Sequence, residues 1–378
     1  MFCYTFSRSE STVIEKIIQR INYELDREVS SVSEHLVGME SRVEEMLDLY
    51  LGKMSDCVRF IGICGMGGIG KTTLAREIYN RIFRDFEASS FIDNVREESE
   101  SQRLVSLQKQ LLCKILKGTE KNISNVYEGI NVIRKRLRNK KVLIVLDDVN
   151  EEGQLKALAG KDDWFGVGSI IIVTSRDSHL LNRHWNGVKD IYIAKGLNGD
   201  EALELFSWNA FKEPQPKENY VDLSKNFVKY ANGLPLALEV LGSLLFGKRI
   251  DEWKSALEKL KLEPDDKIFN ILKISFDGLT KMQQELFLDI AFFFKGEYKD
   301  GIIDVVQSFG FCPNYNIGVL VDRSLITIRE NESLWMHDLL QEMGQDIVRC
   351  ESPKEPGRRS RLCYYEDVLH VLKNNIVS

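Results

Sequence analysis

The sequence predicts a parallel α/β phosphate-binding domain followed by a helical domain and a winged-helix module. Three observations predict it: apolar strand segments alternating with helical periodicity in the first half, a G-x-x-x-x-G-K-[ST] loop between a strand and a helix, and a second half made of helices with one late hairpin.

The loop comprises Gly65, Met66, Gly67, Gly68, Ile69, Gly70, Lys71, Thr72 and Thr73. The stretch before it, Val58–Cys64, is apolar and β-prone, and after it Leu74, Ile78 and Ile82 recur at helical spacing. Glycines let backbone N–H groups converge on phosphate oxygens, and the following helix N-terminus adds partial positive charge. Lys71 is expected to reach the β- and γ-phosphates and Thr72 to hold Mg²⁺ through its hydroxyl. The competing reading is a glycine turn that merely joins strand to helix.

Four more strands are expected at Ser89–Val95, Val142–Asp148, Gly168–Thr174 and Asp190–Ala194. Helical patterns lie between them, through Leu104, Leu107, Leu111 and Ile115 and through Val126, Ile130, Ile133 and Leu137. This domain should run over 35–195, behind a linker helix within 1–34 whose apolar face is Val13, Ile17, Ile18, Ile21 and Leu25. Helices at Glu201–Phe211, Tyr220–Ala231, Pro235–Phe246 and Asp251–Leu260 suggest a small helical domain over 196–265. Helices at Ile268–Phe276, Lys281–Phe294 and Gly301–Gln307, then short strands Ser324–Arg329 and Ser333–His337 and a helix Leu339–Val348, suggest a winged helix with a C-terminal linker over 266–378. Asp338 and Gln341 predict an N-cap and capping box for that last helix.

The segment Lys140–Asp148 is an apolar run ending in two carboxylates. A strand buried on both faces delivers Asp147 and Asp148 to the carboxyl edge, where open α/β sheets bind ligands. Asp147 is expected to bind Mg²⁺ through water, and Asp148 to orient or deprotonate an attacking water. Arg176, just beyond the Gly168–Thr174 strand, can report a γ-phosphate because its charge gains a partner only in the triphosphate state. Plain structural readings remain beside these: acids that end a strand, and an arginine solvated or paired with Asp177.

Composition sets limits. With 378 residues, two or three domains are expected; 51 basic against 57 acidic residues give a net charge of −6, which argues against nucleic-acid binding through bulk charge. The basic cluster Arg134, Lys135, Arg136, Arg138, Lys140 and Lys141 lacks interleaved aromatics and reads as a solvated helix end. His179 and His184 lack nearby partners at ligand spacing and read as surface histidines. Seven cysteines without a C-x-x-C pair read as reduced thiols. No signal peptide is recognised, and the most apolar window, Gly233 to Gly247, is too short to span a bilayer, so cytoplasm or nucleus is expected.

These pieces together resemble the plant intracellular immune receptors, specifically the NB-ARC region, a STAND-type P-loop NTPase, of the Toll/interleukin-receptor-type branch of disease resistance proteins. The matching segments are the phosphate loop, Phe91–Glu98, Lys141–Val149, Gly168–Asp177, Leu197–Phe211, Gly233–Leu238, Leu286–Gly296 and Met336–Asp338, with Asn150 favouring this branch over the coiled-coil type. The resemblance implies that Pro235 lies against an adenine, that His337 touches the β-phosphate of ADP, and that Val37, Gly38 and Arg42 lie beside the adenine and ribose. Pro235 as a simple helix start and His337 as an ordinary wing histidine remain the alternatives.

The implied function is an ADP/ATP switch in defense signal transduction, ADP-bound when off and ATP-bound when on, with at most slow regulatory hydrolysis. Its cofactors would be ADP or ATP and Mg²⁺. The expected partners are adenine nucleotide and other copies or other immune receptors, with neither nucleic acid nor membrane. NADase activity belongs to the Toll/interleukin-receptor domain, which is not expected in this chain, as the leucine-rich repeats are not. Two rivals are a DNA-associated winged-helix ATPase, which salt-sensitive duplex binding would support, and a truncated adaptor acting through full-length receptors.

Overall fold

The computed structural model describes residues 36–48, 57–102, 104–116, 123–184, 190–262, 264–307, 312–362 and 364–374. The linker helix expected within 1–34 lies outside them. The strands β1 (Arg59–Cys64), β2 (Ala88–Ile92), β3 (Val142–Val149), β4 (Ile170–Ser175) and β5 (Ile191–Ile193) form a parallel sheet in the order β2-β3-β4-β1-β5. All five expected strands are present, each within three residues of its expected ends. By backbone proximity the chain divides into two units: Arg42–Phe60 with Thr72–Val173, and His35–Ser41 with Ile61–Lys71 and everything from Thr174.

In the first unit β2 and β3 pair from Ala88 opposite Val142 to Ile92 opposite Leu146. Every residue of β2 is buried, as are Val142–Asp147 of β3, which is why both read as continuous apolar runs without alternation. The helix Leu104–Leu116 covers β2 with Leu107, Leu111, Leu112 and Ile115. Its buried Gln108 donates its amide to the carbonyls of Val126 (3.0 Å) and Ala157 (2.9 Å), tying three helical segments together. A Cβ at Gly129 would fall 2.0 Å from Gln108 Oε1, so the Gln108 amide would have to shift to admit one. In the basic cluster, Arg134 pairs with Asp163 at 2.5 Å and the Lys141 ammonium lies 5.0 Å from the Phe86 ring centre.

The helix after the phosphate loop, Lys71–Ile82, buries Leu74, Ala75, Ile78 and Tyr79, and the Tyr79 hydroxyl lies 3.0 Å from Ser89 Oγ on β2. Tyr79→Phe removes this bond between two buried groups. It should lower stability by about 1 kcal/mol, read as a fall in urea midpoint with an unchanged m-value.

In the second unit Gly62–Cys64 of β1 pair with β5. The helix Gly199–Phe211 starts with a capping box from Asn198 and Glu201, and Pro235 opens the helix Pro235–Leu245 at its first position. Trp253 organises this region: it is 1% exposed, packs edge-on against Phe206 and Phe227 and stacks on Phe211, and its indole N–H donates to Leu245 O at 3.2 Å.

The helix expected over Lys281–Phe294 stops being α-helical at Asp289 and continues as a π turn over Ile290–Phe294. Within that turn the Ala291 carbonyl accepts from the Gln341 amide at 2.9 Å, an outside donor in the helical ladder. A helix Pro313–Asp322, marked by Pro313 at its start and buried Ile317 and Leu320, lies between Gln307 and the hairpin where none was expected. The hairpin strands are only Thr327–Ile328 and Leu334–Trp335. They are short because Ser324 and Glu332 adopt left-handed φ (56° and 60°); Leu334 also exchanges backbone bonds with Gly296 and Glu297.

The following helix is Asp338–Glu351, and its N-cap is His337, not Asp338 as expected. His337 Nδ1 accepts from Leu339 N–H at 3.2 Å, while Gln341, assigned to a capping box from sequence, is drawn to Ala291 and to Lys295 (2.8 Å).

Candidate functional site

The phosphate loop leaves β1 with Gly65 at φ 154°, and Gly68 and Gly70 sit at φ 79° and 93°. A side chain at Gly68 would be strained and would also fall 2.7 Å from Leu236 Cβ, whereas the space above Gly70 is open within 4 Å. Lys71 is buried; its ammonium donates to the carbonyls of Gly65 (2.8 Å) and Met66 (2.9 Å), so the lysine curls over the loop that precedes it. Beneath it, burial pushes the Cys64 thiol up to about 12, opposed by the Lys71 charge, so Cys64 is a neutral core group and not a nucleophile.

In the first unit Thr72 Oγ1 donates to Asp147 Oδ1 at 2.8 Å, and Asp147 is 2% exposed. Two residues 75 positions apart thus meet as one hydroxyl–carboxylate pair. Among the described residues no group of three or more His, Cys, Asp or Glu forms a closed metal cage. The Thr72–Asp147 pair fits Mg²⁺ nevertheless, because that ion takes one or two protein oxygens and completes its shell with phosphate and water.

Asp148 turns left-handed at φ 55°, and its Oδ2 lies 2.6 Å from Arg96 Nη2. Arg96 belongs to Phe91–Glu98, and the same segment supplies Asp93, which pairs with Arg76, while the Arg76 guanidinium lies 4.3 Å from the centre of the Phe91 ring. Thr73 follows Thr72 in the helix Lys71–Ile82, and Arg42 is half-buried in the helix Met39–Met46.

The second unit brings the loop together with segments far along the chain. Pro235 has no N–H, so the first donor of its helix is Leu236, and that N–H reaches Gly68 O at 3.2 Å. Arg176 lies against Gly67, where an added Cβ would stand 2.8 Å from Nη1; the same nitrogen donates to Ile271 O at 2.8 Å and lies 3.5 Å from Ser275 Oγ. Val37, Met66 and Leu236 pack on one apolar core with Ile69, and Gly38 takes φ 68° in the turn closed by Met39 N–H to Leu36 O.

His337 is buried, and both ring nitrogens are used. Nδ1 accepts from Leu339 N–H, which makes Nε2 the protonated nitrogen, 3.0 Å from Asn232 O. Burial lowers the His337 pKa below the ordinary imidazole value, consistent with this neutral tautomer. Asp338 accepts from the Asn232 side-chain amide at 3.0 Å and is itself held by Lys295. Asn232 is therefore gripped at its carbonyl and at its amide by consecutive residues. It is the left-handed cap (φ 47°) of the helix Val221–Ala231, and three residues later comes Pro235.

The NB-ARC domain matches residues 39–216, and the Disease resistance protein Roq1-like winged-helix domain matches residues 280–352. Residues 39–216 are thus an NB-ARC domain, and the chain is similar along its length to plant disease resistance proteins. The disease resistance protein RUN1 of Vitis rotundifolia is 44% identical over 368 residues, 96% of this chain and 27% of the relative. The TMV resistance protein N of Nicotiana glutinosa is 40% identical over 380 residues, 99% of this chain and 32% of the relative. The chain thus spans about a quarter to a third of these relatives' length. Among solved structures, a Walker-type ATPase of Pyrococcus abyssi superposes with a TM-score of 0.54 at 14% identity, over 81% of this chain and 94% of that one, a likeness of fold alone. No helix among the described residues is long and apolar enough to cross a membrane.

For an NB-ARC nucleotide-binding module, several residues that matter here escaped sequence reasoning. Asn232 was readable as a helix C-cap before glycine, but not as the object of the Met-His-Asp segment 105 residues later. Arg96 and Asp93 lay inside a segment whose charges have no visible partners in one dimension. Lys295, Leu236 and the Ile271 carbonyl carry no local signal at all.

Proposed function

We propose that this NB-ARC module is an ADP/ATP switch of plant defense signalling, closed with ADP and opened with ATP, in which nucleotide hydrolysis is slow and regulatory. The reading rests above all on the double hold of His337 and Asp338 on Asn232, in a unit that also carries the phosphate loop and docks Leu236 on it. A clamp of that kind gives a nucleotide something to bias.

In this reading Gly65–Thr73 cradle the phosphates, Lys71 exchanges its loop carbonyls for β- and γ-phosphate oxygens, and Thr72 with Asp147 would hold Mg²⁺, which supplies charge neutralisation. Pro235, Val37, Gly38 and Arg42 take the adenosine end, His337 favours the ADP form, and Asp148 receives the proton of an attacking water. Arg176, now bonded to Ile271 O, gains a stronger anionic partner when a γ-phosphate arrives and gives up the helix Asp266–Asp277. The nucleotide-binding domain runs over 35–195, the helical domain over 196–265 and the winged helix over 266–378. The module works in cytoplasm or nucleus, with further copies or other receptors as partners.

The test is to purify the chain without added nucleotide, denature it, and quantify what is released by ion-exchange chromatography. Near-stoichiometric ADP is expected; a folded protein that releases none sinks the closed-switch reading.

A further inference from the structure

Asp148 is the group the proposed function casts as proton acceptor, yet its carboxylate is committed to Arg96. The two side chains are of similar exposure, 21% and 22%, so the pair is largely removed from water and a water molecule near Asp148 competes with a charge-assisted bond. Both ends of the pair are delivered by unusual backbone. Asp148 is left-handed at φ 55° inside β3, and Asn94, at φ 48°, turns the chain so that Arg96 enters the first turn of the helix Val95–Gln102. Left-handed non-glycine residues are costly and persist where the surroundings fix them, and two such kinks aim one guanidinium at one carboxylate.

We infer that Arg96 is a positioning residue that restrains Asp148 and so acts as a brake on ATP hydrolysis. The inference rests on the phosphate-switch reading and names what sets its rate. In the step concerned, a water oxygen bonds to the γ-phosphorus while the bond from that phosphorus to the β,γ-bridging oxygen breaks. ADP departs with the electron pair, and the water's proton passes to Asp148. With Arg96 holding Oδ2, the carboxylate is turned to the cation and not to that water; loss of Arg96 removes that hold.

Neither Arg76 nor Lys114 substitutes for this restraint. Arg76 is paired with Asp93, and the Lys114 ammonium donates to Phe91 O at 2.7 Å. Arg96, by contrast, has its guanidinium on the second carboxylate of β3.

Single-turnover hydrolysis of γ-³²P-labelled ATP is measured on the full chain for wild type, Arg96→Gln, Arg96→Lys, Asp148→Asn and the Arg96→Gln/Asp148→Asn double variant, with ADP and ATP affinities measured alongside. Arg96→Gln is expected to hydrolyse roughly ten-fold faster at unchanged affinities, because general-base assistance contributes at least that much. Arg96→Lys should restore most of the slow rate, and the double variant should lose the gain. A merely structural pair would move stability without a gain that depends on Asp148. An unchanged or slower rate in Arg96→Gln, with wild type binding ATP, overturns the brake and leaves the switch reading intact. Failure of wild type to bind either nucleotide overturns both. If Arg96→Gln does not fold, Arg96→Met decides: a folded Arg96→Met that hydrolyses no faster than wild type sinks the inference.

Discussion

Lys71→Ala strips the adenine nucleotide from the purified chain. Affinity for ADP is expected to fall roughly a hundred-fold or more, since a charged hydrogen-bond donor to phosphate is worth up to about 3 kcal/mol and its loss also leaves the cradle without its cation. In the structure the ammonium is buried and bonded to Gly65 O and Met66 O, so it is already desolvated and aimed along the loop. Little of its binding energy is then spent on ordering the side chain. The same contacts predict a secondary loss of stability in Lys71→Ala, because two carbonyls lose a donor. Isothermal titration with ADP, paired with a urea melt, separates the two effects. A folded Lys71→Ala variant that still co-purifies with ADP would remove the phosphate cradle from the account.

The strands and the loop were legible because their signals are local. Continuous apolar runs such as Val142–Leu146 announce a parallel strand covered on both faces, and G-x-x-x-x-G-K-T between strand and helix has few alternative uses. What failed was set by tertiary partners. The capping role moved from Asp338 to His337 because Lys295 and Asn232 compete for the aspartate, and because Gln341 is taken by Ala291 and Lys295. The expected hairpin is shorter because Ser324 and Glu332 turn left-handed, and its second strand also pairs with residues 296–299, a partner that hairpin reasoning does not look for. The helix Pro313–Asp322 is a different kind of miss: proline at its start and Ile317 and Leu320 on one face were readable, but the segment is short and almost uncharged. Arg96 and Asn232 mark the limit. Their residue types are ordinary, and only the fold shows that one meets the second carboxylate of β3 and the other is held from two sides.

His337→Ala should release ADP about ten-fold faster than wild type, and Asp338→Val should do so by a similar factor. Each removes one hand from Asn232, an exposed residue whose freed groups water can reach, so each loss is on the order of 1 kcal/mol. Because both hands hold one residue, the double variant should fall short of the product of the single effects, with a coupling on the order of 1 kcal/mol. Acidity offers a second route to the same state. Burial holds the His337 pKa below the ordinary value of about 6.5, so the neutral ring that caps Leu339 N–H is native and the protonated ring is not. Its contribution to the closed form is therefore whole above about pH 6.5 and is lost as pH falls through the lower native value. Protonation also places a cation beside Lys295, which opposes it, and Asp338, which favours it; burial is the larger influence. Stopped-flow displacement of a fluorescent ADP analogue between pH 7.5 and 5 should show release accelerating on acidification in wild type and hardly at all in His337→Ala. Identical pH profiles for the two proteins, or unchanged release in both single variants, would mean that the grip on Asn232 does not govern nucleotide exchange.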